Sequence, residues 1–180
     1  MSTQILVAYA SEFGSTVEIA ETIGQALRDR GAQVDVRAIV DVATLAPYSA
    51  AIIGSAIYNG AWLPEAVHFV EVHAAALSRM PTAYFVVCAT MREDTPEHRQ
   101  GARSFLDPVL AQIPQIRPID IGLFAGKIDP PKLPWPVRLR MRFTTNLRQG
   151  DYRRWDDVRN WAASIAPQLQ IAATPPIEYE

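Results

Sequence analysis

Short apolar runs at residues 4–9, 33–39, 50–55, 82–89 and 119–124 alternate with stretches of helical periodicity at 14–30, 63–77, 97–113 and 155–165. That alternation constrains the fold more than any other feature of the chain. A strand that is apolar along its whole length has both faces buried, and a parallel sheet covered by helices on both sides is the arrangement that buries them. Right-handed crossovers then follow from strand twist. The expectation is an α/β domain built on a doubly wound parallel sheet of five strands with helices on both faces. In such sheets ligands bind outside the carboxyl ends of the strands, where the strand order reverses. The loops at 10–16, 55–62 and 90–97 are therefore where chemistry is expected.

The first helical stretch has Ile19, Ile23 and Leu27 on one stripe beside Ala20 and Gly24. Ser15 followed by Glu18 has the form of a capping box, and Gly31 stands where a left-handed C-terminal cap is expected. With 180 residues, 49% of them apolar, one well-filled core is expected rather than two. Residues 1–171 form the expected domain, and 172–180 an expected disordered tail. No run approaches the roughly 18 apolar residues of a membrane span, and the first residues lack the pattern of an export signal. A soluble cytoplasmic protein is expected. Cys88, the one cysteine, lies in an apolar run and reads as a buried strand residue.

After the first run the chain reads Ser11, Glu12, Phe13, Gly14, Ser15, Thr16. Three hydroxyls and a series of amides thus fall at a helix N-terminus, where unpaired N–H groups and the helix dipole favour an anion without any lysine. A nucleoside-triphosphate loop would read GxxxxGK[ST] and a dinucleotide fingerprint GxGxxG, and this loop is neither. A terminal phosphate monoester fits better. The plainer reading, that serine and threonine merely cap the helix, stands beside it. A phosphate-receiver domain would need clustered aspartates where this chain has Tyr9, Ala10 and Ser11.

Net charge is −2, yet residues 127–154 carry eight of the 17 basic residues against Asp129 and Asp151 alone, leaving that segment near +6 and the remainder near −8. Within it, between Trp135 and Phe143, bulky apolar residues alternate with arginines. Three readings are open for this basic stretch: arginines over an anionic substrate, a surface that touches the membrane where quinone resides, or a contact between subunits of a homo-oligomer. A nucleic-acid partner is not expected without a wider basic face. His68, His73 and His98 have no metal-ligand spacing with acidic residues or cysteine and read as surface or packing residues. No hydrolytic triad is legible.

The stretch ILVAYASEFGST at residues 5–16 resembles the strand-plus-phosphate-loop pattern [ST]-x-x-G-x-[ST] of the flavodoxin superfamily, and the likeness continues through AIIGSAIY at 51–58 to the last helix. Within that superfamily the chain is most similar to the branch containing the quinone-linked protoporphyrinogen IX dehydrogenases, through GSAIYNG at 54–60, FAG at 124–126, the basic stretch and GDYRRWDD at 150–157. The resemblance implies strand order 2-1-3-4-5 and non-covalent flavin mononucleotide (FMN). Its phosphate would rest on the loop of Ser11, Glu12, Phe13, Gly14, Ser15 and Thr16. The ring would lie between a second loop, Ala56, Ile57, Tyr58, Asn59, Gly60 and Trp62, and a third, Thr90, Met91 and Arg92. Tyr58 and Trp62 would offer aromatic faces, Asn59 a polar edge and Gly60 a carbonyl free to turn.

Carrier flavodoxins are expected to hold an aromatic ring in the third loop, where this chain has Arg92. A cation there favours an anionic reduced ring and raises its potential, although Arg92 paired with Glu93 or Asp94 is an equal alternative. The implied activity is an FMN-dependent oxidoreductase that takes electrons from a reduced organic substrate, protoporphyrinogen IX as the specific case, and passes them to a quinone or other acceptor. The alternative is an electron carrier that serves a redox partner protein and has no substrate of its own. No catalytic base is assigned.

Overall fold

The computed structural model describes residues 4–129, 135, 136, 139 and 149–170. Strand β1 (Gln4–Ala10) leads into helix α1 (Ser15–Arg28), and β2 (Gln33–Ala38) and β3 (Ala50–Tyr58) follow. A two-residue strand β4 (Ala61–Trp62), helices α2 (Pro64–Val72) and α3 (Ala74–Leu77), and strand β5 (Thr82–Cys88) come next. Helices α4 (Pro96–Ser104) and α5 (Asp107–Gln112) precede β6 (Ile121–Ala125) and β7 (Lys127–Ile128). Strand β8 (Gly150–Asp151) and helix α6 (Trp155–Gln170) complete the described chain.

The main sheet runs β2-β1-β3-β5-β6, all parallel, which is the expected order 2-1-3-4-5 counted over its long strands. β1 pairs with β2 on one side and β3 on the other, so the chain reverses its direction of winding between β1 and β3. The carboxyl ends of β1, β3 and β5 reach the same edge.

The uniformly apolar strands are buried on both faces, as their composition requires. Leu6, Ile53, Tyr84 and Val86 face a layer of α2 to α5, while Ile5, Val7, Ile52, Phe85 and Phe124 face α1 and α6. Burying each such aliphatic or aromatic side chain contributes about 1.5–3 kcal/mol. Contact between strands is so close that Gly54 admits no side chain: a Cβ there would lie 2.0 Å from the Phe85 ring. Cys88 is free and buried, as expected.

Several expected details are different. The third strand does not stop at Ser55 but continues to Tyr58 and turns back antiparallel into β4, adding a sixth strand to the sheet. The helical stretch 97–113 is two helices, because Pro108, near the start of α5, has no N–H for a continuous helix and its ring would clash with the preceding turn. The stretch 63–77 is interrupted at His73. Helix α1 starts on Gly14 with no side-chain cap, so the Ser15–Glu18 capping box does not form. Its far end does close as expected: Gly31, at φ 86°, and Ala32 donate to the carbonyls of Arg28 and Leu27 in a Schellman motif.

Candidate functional site at the carboxyl edge

The first loop is built from its own residues. Gly14 takes φ 90°, which an L side chain rarely adopts, and its N–H donates to Ser11 Oγ at 3.0 Å. An added Cβ at Gly14 would meet nothing within 4 Å, so it is the backbone conformation and not space that requires glycine. Ser15 and Thr16 then open α1. The Thr16 side chain is completely buried and its Oγ1 has no hydrogen-bond partner. A buried hydroxyl left unpaired costs about 1–3 kcal/mol, so one at the first turn of a helix calls for a ligand acceptor. Together with the free amides of the helix start, this donor set fits a phosphate monoester. Gly126, just after β6, lies against the same loop: a Cβ there would come 3.4 Å from Ser15 Oγ.

The second loop is the β3–β4 hairpin. Tyr58 pairs with Ala61, leaving Asn59 (φ 51°) and Gly60 (φ 78°) as its two exposed turn residues, both at positive φ as a type I′ turn requires. Ser55 Oγ, buried below, donates to the Ala56 carbonyl and accepts from Leu63 N–H, which pins the hairpin to the start of α2. Tyr58 packs edge-on to Phe13 of the first loop, with centroids 5.9 Å apart. Trp62 does not join them. It is 3% exposed and sits edge-on to Tyr84 in the core beneath α2, so it presents no aromatic face at the edge of the sheet. Its place opposite Ile57 in the hairpin directs it inward. Desolvation pushes the buried Tyr84 hydroxyl far above its ordinary pKa.

The third loop is a single 3₁₀ turn over Ala89–Arg92. Thr90 is half-buried, and the Met91 side chain is wholly buried in the core. Arg92 Nε lies 3.7 Å from Glu93 Oε1, while Asp94 is engaged by Arg99 at 2.6 Å. The hydrogen bond from Arg99 holds the Asp94 carboxyl below the usual carboxylate range. His98 Nδ1 lies 2.9 Å from the Glu93 carbonyl, and His73 packs on Phe69. A cleft of about 170 Å³ beside the first loop, lined by Tyr9, Ser11, Gly14, Ile39, Val40 and Glu65, is below the size of a typical cofactor pocket.

Two arginines that motif reasoning missed reach the first turn of α1 and the third loop. The Arg153 side chain is 5% exposed and bonds Asp151 with Nε at 2.8 Å, while Arg154 Nη1 donates to the Met91 carbonyl at 3.2 Å. The close clustering of Asp151, Arg153, Arg154, Asp156 and Asp157 was the available signal for the local pairs, but no local pattern points to Met91. The exposed Trp135 and Leu139 belong to the basic stretch; its residues 130–134, 137, 138 and 140–148, and the tail 171–180, lie outside the described residues. Among the described residues no helix is long and apolar enough to cross a membrane.

Comparison with known proteins identifies the same architecture. The model of the flavodoxin domain family matches residues 6–154. A protoporphyrinogen IX dehydrogenase (quinone) from Escherichia coli strain K12 is 28% identical over 174 residues, covering 89% of this chain and 93% of its own. The enzyme of the same name from Leishmania major is also 28% identical, over 97% of this chain and 79% of its own. Among solved structures, a flavodoxin from the domain Archaea superposes with a TM-score of 0.60 at 17% identity, over 93% of this chain and 99% of that one.

Proposed function

The chain belongs to the flavodoxin domain family, and on that premise we propose that it binds FMN at the carboxyl edge of its sheet and acts as an oxidoreductase toward a reduced organic substrate. The observation that carries this reading is the buried, unpartnered Thr16 hydroxyl at the first turn of α1, beside the Ser11–Gly14 turn. Thr16, Ser15, Ser11 and the amides after Gly14 would hold the phosphate. Tyr58, Asn59 and Gly60 on one side and Thr90 and Arg92 on the other would border the ring.

Bound FMN supplies two-electron acceptance from a substrate and release to a second acceptor. The protein contributes orientation and charge. The edge-on contact between Phe13 and Tyr58 joins the first and second loops, so that the positions for phosphate and ring are set together. Arg92, only partly exposed, supplies positive charge at the third loop. The specific substrate is a porphyrinogen and the acceptor a quinone, by likeness to the relatives of that name. The apolar surface of Trp135, 73% exposed within a basic stretch, suits an acceptor dissolved in lipid.

An anaerobic reductive titration of the purified protein, followed by visible absorbance, tests this. A yellow protein that is reduced in one two-electron phase, and then reoxidised by quinone, is the expected result. Two well-separated one-electron phases would instead favour a carrier without its own substrate. Failure to retain or bind FMN would overturn the reading.

A further inference from the structure

Between β8 and α6 the chain passes through two consecutive arginines whose side chains diverge, one to the first turn of α1 and the other to the third loop. Arg153 turns toward α1. Its Nη1 lies 2.9 Å from Glu18 Oε2, its Nε and Nη2 grip Asp151, and its guanidinium sits 4.5 Å above the Trp155 ring. The Glu18 contact is an ion pair by distance, but Nη1 makes no directed hydrogen bond there. Arg154 turns to the third loop. Its Nη1 donates to the Met91 carbonyl, 63 residues away, its Nη2 lies 3.7 Å from Asp94 Oδ2, and its Nε bonds Asp157 at 2.6 Å. The same short connection is tied to the end of β6, since Tyr152 N–H donates to the Gly126 carbonyl and β8 pairs with β7.

We propose that Arg153 and Arg154 are two positioning residues with separate tasks, Arg153 serving the phosphate end of the cofactor site and Arg154 the ring end. The inference rests on the flavin reading above and extends it to groups that do not themselves touch the flavin. Arg153 is the cation that offsets Glu18, in the first turn of α1, and Asp151. Without it, among the described residues, the Glu18 carboxylate, in the turn of α1 that follows Ser15 and Thr16, is left uncompensated, and Asp151 keeps only Lys127 of β7 beside it; added negative charge at the start of α1 repels a phosphate dianion, which FMN carries and riboflavin lacks. Arg154 bonds a backbone carbonyl of the turn between Thr90 and Arg92. Without it the turn loses its tie to α6, and FMN and riboflavin suffer alike because both present the same ring.

The experiment measures FMN and riboflavin affinity by fluorescence titration, and the midpoint potential of bound FMN, for the unaltered chain, Arg153→Ala and Arg154→Ala. Thermal unfolding of each flavin-free protein reports the fold separately. Arg153→Ala is expected to weaken FMN several-fold, since Glu18 is exposed and screened, and to leave riboflavin affinity and the potential unchanged. Arg154→Ala is expected to weaken both flavins by the same factor, about tenfold for one lost hydrogen bond to a charged donor, and to lower the potential. Should Arg154→Ala fail to fold, Arg154→Lys keeps the charge without the planar fork and is expected to weaken both flavins equally by a smaller factor. Losses that do not separate in this way, or an unchanged potential in Arg154→Ala, would overturn the division of tasks while leaving FMN binding intact. An unaltered chain that binds neither flavin would overturn the flavin reading and this inference together.

Discussion

The first loop holds its shape through contacts among near neighbours, with Ser11 Oγ accepting from Gly14 N–H and Gly14 supplying the positive φ that starts α1. The third loop has local ties as well, with Arg99 and His98 of α4 holding Asp94 and Glu93, but its turn is also tied from outside: Arg154 reaches the Met91 carbonyl from 63 residues away. A site for a conserved chemical unit such as phosphate can be encoded within six residues. A wall that sets the environment of a ring is instead assembled from segments distant in sequence, so charge can be exchanged there without rebuilding the phosphate cradle.

That contrast can be sharpened by experiment. The largest expected effect is on Thr16→Val, which removes the orphaned hydroxyl while keeping its volume. FMN affinity is expected to fall about 10–100-fold, the equivalent of a charge-assisted hydrogen bond of about 1.5–3 kcal/mol, while the flavin-free protein loses no stability in denaturant. Destabilisation with unchanged affinity would show that the hydroxyl serves the fold alone. Gly14→Ala puts a side chain on a backbone at φ 90° and is expected to cost about 1–2 kcal/mol, measurable as a lower denaturant midpoint with unchanged slope. Ser11→Ala removes the bond to Gly14 N–H and is expected to cost about 0.5–1.5 kcal/mol, with a matching loss of FMN affinity.

The third loop gives the smallest signal, and it depends on pH. The Asp94 pKa is depressed in the folded chain, first by its bond from Arg99, so its stabilising contribution is complete above the unfolded value of about 3.9. It is lost as the pH falls through the lower folded value. Pairs this exposed contribute less than about 1 kcal/mol. Amide exchange at 89–94 is expected to accelerate at the acid end of that window, beyond the intrinsic pH dependence, while the amides of the first loop show no such change. Equal acceleration in both loops would mean that the third loop does not open separately.

The alternation of apolar runs and helical stripes determined the α/β class and the two-sided covering of the sheet, because period and composition dictate which faces must be buried. The strand order was legible through resemblance to a family, which also suggests the flavin site, and the donors of the first loop were legible because they are contiguous. Pro108 was visible too, yet the break it makes in the helical stretch was not read from the periodicity alone. What only the tertiary structure decided were interactions at a distance. The hairpin register turns the Trp62 side chain toward Tyr84, and the Met91 side chain is buried in the core. Gly126 was brought against Ser15, and Arg154 against the third loop. Periodicity reports which residues are buried, but the partner of a hydrogen bond made across 63 residues is set by how the elements pack.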